Sequence, residues 1–99
     1  MIYRINSKHM FKIDKKDARL IISDIKDWQA KYVNIENLPL EFYLKYKKIL
    51  SSYKKTGKSK KEVLSFFSKI AEDNQDNREF VYEIVDLIEG YCRPDFRVW

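Results

Sequence analysis

The stretch Asp-Asn-Arg-Glu-Phe-Val-Tyr-Glu-Ile-Val-Asp-Leu-Ile-Glu-Gly, residues 76–90, decides the predicted fold. Its apolar residues recur every three or four positions, which is typical of the buried face of an α-helix. Asp76 and Glu79 resemble a capping pair at the start of this helix. Gly90 is suited to end it, because glycine readily adopts the left-handed conformation of a helix C-cap. The predicted buried face consists of Phe80, Val81, Ile84, Leu87 and Ile88.

Three further helices are predicted upstream of this one. Asp14 is a plausible N-cap for the first, whose apolar residues are Ala18, Ile21, Ile22, Ile25, Trp28 and Tyr32. Pro39 fits the first turn of the second helix, which we expect to end near Lys55 at Gly57. The apolar residues of the second helix are Leu40, Tyr43, Leu44, Ile49, Leu50 and Tyr53. Ser59 and Glu62 form a capping box for the third, with Val63, Phe66, Phe67, Ile70 and Ala71 as its buried side.

These patterns predict an all-α fold, with residues 1–99 forming one domain. Each helix has a single apolar face to bury, so short connections favour a small antiparallel four-helix bundle. The first dozen residues alternate weakly and fit either a short strand or an extended N-terminal arm. The apolar tail, Phe96 to Trp99, is expected to dock back on the bundle.

Composition argues against several functional classes. The single cysteine, Cys92, cannot form an intramolecular disulfide and has no ligand set for zinc, and neither a signal peptide nor a membrane span is recognisable. These features predict a cytoplasmic protein. No phosphate-binding loop or catalytic motif appears, and the only histidine, His9, has no acid or cysteine beside it. We therefore expect a binding protein that has no enzymatic activity and no cofactor or metal.

Charge is segregated along the chain. Eight lysines and no acid lie between residues 45 and 61, whereas residues 72–95 contain eight acids against Arg78 and Arg93. Within the last predicted helix, Glu79, Glu83 and Asp86 lie at i, i+4 and i+7, and Glu89 borders the same side. This stripe is either an ordinary solvated face or a docking surface for a basic protein.

The lysine-rich segment, Lys45 to Lys61, permits a different interpretation. Its lysines could neutralise nucleic-acid phosphates while Tyr43, Tyr46 and Tyr53 offer rings for base stacking. Arginine, the usual reader of base edges, is absent from this segment. A plain solubilising surface is the alternative.

The segment Ile-Val-Asp-Leu-Ile-Glu-Gly-Tyr-Cys-Arg-Pro-Asp-Phe-Arg, residues 84–97, resembles the C-terminal region of colicin-D-type and contact-dependent-inhibition immunity proteins. In those immunity proteins a helix ends in an acidic residue, which is followed by an aromatic residue and a turn containing Pro and Asp. The resemblance implies a small helical protein that blocks a nuclease toxin by placing carboxylates where tRNA phosphates would lie. Members of that family are usually acidic, whereas this chain has a net charge of +5.

The sequence thus predicts an immunity or antitoxin-like protein whose partner is a cognate toxin, a basic nuclease domain. Its predicted partner-binding residues are Glu79, Glu83, Asp86, Glu89, Tyr91 and Asp95. A small nucleic-acid-binding module that uses Lys45 to Lys61 is the alternative. A third hypothesis is a structural subunit whose tail inserts into a neighbour.

Overall fold

Four α-helices make up most of the chain in a computed structural model that describes residues 15–91 and 94–99. They are α1 (Lys15–Tyr32), α2 (Leu40–Lys55), α3 (Lys60–Asp73) and α4 (Arg78–Glu89). Short 3₁₀ turns occupy Ile35–Asn37, Gln75–Asn77 and Pro94–Phe96, and the described ranges contain no strand. The all-helical prediction is confirmed for these ranges. The predicted N-terminal arm and the Asp14 cap lie outside them.

Helix α4 is the element against which the other three helices pack. It contacts α1, α2 and α3, and its interface with α3 is the most extensive. Half of its 12 residues are buried, namely Phe80, Val81, Ile84, Val85, Leu87 and Ile88. Because apolar side chains cover so much of its circumference, the charged residues of α4 are confined to the remaining side.

The helix ends follow the sequence signals in part. The predicted capping box is present, since Ser59 Oγ accepts from the Glu62 N–H and the Glu62 carboxylate accepts from the Ser59 N–H. Gly57 and Gly90 adopt φ values of +92° and +88° where α2 and α4 end. Both glycines therefore supply the left-handed conformation that side chains disfavour.

Two of the predicted helix starts are wrong in detail. Pro39 is the N-cap residue of α2 and precedes its first turn. Asp76 belongs to the preceding 3₁₀ turn, and α4 begins after Asn77 without a side-chain cap. The buried Asn77 amide instead donates to the Gln29 side chain at 2.6 Å, so this residue ties the start of α4 to α1.

The buried face of α2 also differs from the predicted one. Phe42, Tyr46 and Leu50 are fully buried, whereas Leu40 and Leu44 are exposed. The buried residues follow i, i+4 and i+8, and the ring of Phe42 packs edge-on against Trp28 of α1 with centroids 5.4 Å apart. Packing against the rest of the core therefore buries this face and leaves out the leucines, which have equal helical periodicity.

Burial of Tyr46 depends on a carboxylate that the sequence analysis did not single out. Asp24 Oδ2 accepts from the Tyr46 hydroxyl at 2.7 Å and from Trp28 Nε1 at 3.1 Å, and Oδ1 pairs with Lys45. Burial raises the pKa of the Tyr46 hydroxyl, and the bond to Asp24 raises it further. Asp24 thus gives a buried hydroxyl the partner that it needs at the α1–α2 interface.

Replacing Asp24 should destabilise the fold. In Asp24→Ala the Tyr46 hydroxyl loses its acceptor, so we expect the free energy of unfolding to fall by about 2 kcal/mol in urea denaturation. Asp27→Ala, an exposed change on the same helix, should alter it by less than about 0.5 kcal/mol. Adding Tyr46→Phe to Asp24→Ala should cost less than the sum of the single changes, and additivity would contradict this role for Asp24.

The C-terminal tail docks along α2, as the sequence predicts. Phe96 is only 8% exposed and stacks on Tyr43 with ring centroids 6.1 Å apart. Lys47 Nζ donates to the Asp95 carbonyl, and Lys54 Nζ donates to the Val98 carbonyl at 2.8 Å. Two lysines of the lysine-rich segment therefore form hydrogen bonds with the backbone of the tail. With Phe96 buried in its own chain, insertion of the tail into a neighbour would first require its release.

Removal of the Phe96 ring should unfold the protein more easily. We expect Phe96→Ala to lower the free energy of unfolding by about 3 kcal/mol, because it leaves a cavity between the tail and α2. Tyr91→Ala is a suitable control, since this ring is 75% exposed and its loss should change stability by no more than about 0.5 kcal/mol. Equal urea midpoints for the two variants would show that the tail is not part of the core.

Candidate functional site

The most strongly charged surface on α4 is formed by Glu79, Glu83, Asp86 and Glu89, hereafter the acidic face. These residues lie outside the buried stripe of the helix; Glu79 and Glu89 are exposed, whereas Glu83 and Asp86 are half-buried. The ion pairs among the described residues are Lys45–Asp24 and Lys69–Asp73, and neither involves α4. The structure therefore gathers these four of the predicted carboxylates on one side of a helix, without a salt bridge to the described residues.

An aromatic side chain that the sequence analysis missed lies within the acidic face. Tyr82 is 47% exposed and follows Glu79 by three positions and precedes Asp86 by four. Its position in the i, i+3, i+7 series of the charged residues was the available signal. Tyr91, two residues beyond Glu89, is also strongly exposed. The face therefore combines four carboxylates with the accessible ring of Tyr82, and a second accessible ring, Tyr91, follows the end of the helix.

The fold restrains Glu83 directly. The Tyr43 hydroxyl of α2 donates to Glu83 Oε1 at 2.8 Å, and burial together with this carboxylate raises the pKa of Tyr43. The ring of the same Tyr43 stacks on the ring of Phe96. This arrangement brings the 3₁₀ turn that contains Asp95 next to α2 and near Glu83. Asp95 itself is exposed.

The surroundings of Asp86 disfavour a negative charge on its carboxyl. Burial raises the pKa of the Asp86 carboxyl, and the nearby Glu89 raises it further. Arg97 lies close to the end of α4. A Cβ atom on Gly90 would be 3.4 Å from the Nε atom of its guanidinium. A cation suits the C-terminal end of a helix dipole, but no salt bridge joins Arg97 to Asp86 or Glu89.

Neutralising Asp86 should stabilise the free protein. Its raised pKa means that folding becomes less favourable as the pH rises through that pKa, so the charge costs stability at pH 7 and nothing at pH 3. We expect Asp86→Asn to raise the free energy of unfolding by a few tenths of a kcal/mol at pH 7, about the cost of one like-charge helix pair after salt screening. Urea denaturation at both pH values measures the difference. Asp27→Asn controls for net charge, and a gain that persists at pH 3 would contradict this account.

The lysine-rich segment is only partly available for binding. Lys45 pairs with Asp24, and Lys47 and Lys54 bind tail carbonyls. Tyr46 is 0% exposed, so the interpretation of this ring as a stacking platform is wrong. Tyr43 and Tyr53 are half-buried against the core, and burial raises the pKa of Tyr53 to about 12. The tyrosines of this segment thus serve mainly the core.

The described ranges offer neither a metal site nor a membrane-spanning helix. These ranges contain no group of three or more His, Cys, Asp or Glu side chains placed to hold a metal ion. None of their helices has the length and apolar character needed to cross a membrane. His9 and Cys92 lie outside the described residues.

Comparisons with known proteins found no protein similar to this chain. The sequence matches no protein-family model, and neither the curated proteins nor the solved structures contain a significant match.

Proposed function

We propose that this protein is an immunity or antitoxin-like inhibitor that binds a cognate toxin, a basic nuclease domain, through the acidic face of α4. The observation that carries the proposal is the set of four carboxylates on one helix that no described residue neutralises by a salt bridge. A partner with clustered Lys or Arg side chains complements such a surface and is steered towards it. Nucleases that bind phosphates present cationic surfaces of this kind.

Two features suit the acidic face to binding. Exposed Tyr82 and Tyr91 supply rigid amphipathic rings of the type that is enriched at interface hot spots. The burial of α4 and the Tyr43–Glu83 bond restrict the movement of the carboxylates, so less entropy is lost on association. An antiparallel four-helix bundle would provide the rigid support. Blockade would then be steric and electrostatic, in the cytoplasm, and would require neither catalysis nor a cofactor.

The energetics of the free protein favour this proposal over a merely solvated surface. Like charges at helical spacing repel one another by a few tenths of a kcal/mol per pair. The half-buried Asp86 adds a desolvation cost, as its raised pKa indicates. A cationic partner would convert both costs into favourable interactions.

Charge reversal tests the proposal. The tagged protein is used to capture partners from nuclease-treated extract of its native cell, and recovered protein is quantified at 50 and 200 mM salt. We expect one basic protein at stoichiometric amount, lost when Glu79→Lys and Asp86→Lys are combined. The partner, once purified, should bind the double variant at least about 100-fold more weakly in calorimetry, since each close charge pair contributes about 1.4 kcal/mol or more.

A matched control separates a specific face from net charge. Asp27→Lys combined with Glu41→Lys changes the charge equally at exposed positions on α1 and α2. This variant should bind within about threefold of the parent, and circular dichroism should show both variants to be folded. If the acidic-face variant binds as tightly as the parent, or both variants lose binding equally, the assignment of this surface is wrong.

A further inference from the structure

A second charged surface lies on the connection between α2 and α3. Of the eight lysines between residues 45 and 61, three are engaged by Asp24 or by the tail. Four others are exposed and have neither an ion pair nor a hydrogen bond from their side chains to a described residue. We call these four the basic edge: Lys48, Lys55, Lys60 and Lys61.

The basic edge consists of two pairs of lysines on helices that a short loop joins. Lys48 and Lys55 are seven residues apart on α2, so they lie on the same side about 10 Å apart, opposite the buried stripe that contains Tyr46. Lys60 and Lys61 form the first turn of α3, after a loop of four residues. The segment contains no acid, and the next carboxylate, Glu62, is held by the Ser59 N–H at 2.8 Å. Positive charge therefore extends from α2 across the loop into α3.

Two of these lysines occupy positions that helix stability disfavours. The first turn of a helix carries the positive end of its dipole, where acidic side chains stabilise and cations destabilise. Lys60 and Lys61 are the first two residues of α3. The position is unfavourable in the free protein but becomes favourable when an anion lies against both the lysines and the helix end.

The chemistry of the surroundings selects among anionic partners. The exposed large hydrophobic residues of the described chain are Leu20, Val33, Leu40, Leu44, Tyr82 and Tyr91. Leu40 and Leu44 lie in the first turns of α2, on the side that carries Lys48 and Lys55, and none of the six lies between residues 45 and 81. The apolar side chains beside the basic edge are therefore confined to the end before Lys48, and the stretch from Lys55 to Lys61 has none to insert into a lipid surface or a protein pocket. The tyrosines of the segment are buried or half-buried, so stacking with bases is disfavoured as well. The basic edge therefore presents lysine ammonium groups, which are point charges suited to binding phosphates.

We infer that the basic edge binds the phosphate backbone of nucleic acid without regard to base sequence. Lysine neutralises phosphates as a compact point charge, whereas base reading requires the bidentate or stacking groups that this edge lacks. The surface shares no residue with the acidic face. Its function therefore does not depend on the proposed toxin partner.

The test is fluorescence anisotropy with the full chain and a labelled 20-nucleotide single-stranded DNA at 50, 100 and 200 mM NaCl. Two edge variants are compared with the parent: Lys48→Gln with Lys55→Gln, and Lys60→Gln with Lys61→Gln. Each should bind at least about tenfold more weakly at 50 mM. The slope of log K against log salt should become less steep by about 1.4, because each lost contact with a single strand removes about 0.7.

The control variant combines Lys26→Gln with Lys69→Gln, which removes the same charge from exposed positions on α1 and the far half of α3. It should bind within about threefold of the parent. Thermal melts of the Lys60 and Lys61 variant should show an equal or higher midpoint, so its weaker binding would not reflect unfolding. If the Lys60 and Lys61 variant melts at a lower temperature than the parent, the DNA affinity of the Lys48 and Lys55 variant tests the inference by itself.

Several results would overturn the inference. These are no binding by the parent at 50 mM, equal losses in the edge and control variants, or a preference of more than tenfold among DNA sequences of equal length. Finally, the affinity of the protein for DNA is compared with its affinity for vesicles of phosphatidylcholine with 30% phosphatidylserine. Tighter binding to these vesicles than to DNA, lost in the edge variants, would assign the edge to a lipid surface instead.

Discussion

The burial of α4 is the constraint on which the rest of the structure depends. This helix packs against all three others, and half of its residues are removed from solvent. A helix surrounded in this way has one narrow side left for charge, and its carboxylates must share that side. The acidic face is therefore a direct consequence of how the core is built, and its residues are positioned by the most firmly packed element of the molecule.

The tail and α2 extend this positioning to the edge of the face. Tyr43 connects the two, because its hydroxyl binds Glu83 while its ring packs on Phe96. Lys47 and Lys54 then hold the tail backbone at two further points. One end of the proposed binding surface is thus supported by contacts between residues at least 40 positions apart in the chain.

The lysines illustrate how one residue type serves different purposes. Lys45 balances the Asp24 carboxylate, Lys47 and Lys54 bind tail carbonyls, and the basic edge remains exposed. The net charge of +5 is consequently a poor guide to function, since it sums ion pairs, structural bonds and free charges. The two surfaces proposed for binding carry opposite charges and use different residues.

The sequence by itself determined the helices and the spacing of the acidic residues, because both depend on local rules. Periodic apolar residues, the Ser59–Glu62 capping box and the left-handed Gly90 act within a few positions, and Glu79, Glu83 and Asp86 share a side of any helix that contains them. Only the tertiary structure decided which apolar side of α2 is buried, since Leu44 and Tyr46 fit helical periodicity equally well and the choice depended on the side chains that the other helices bring to Tyr46, Asp24 of α1 among them. The same applies to the lysines, whose exposure and partners depend on side chains that are distant in sequence and close only after folding.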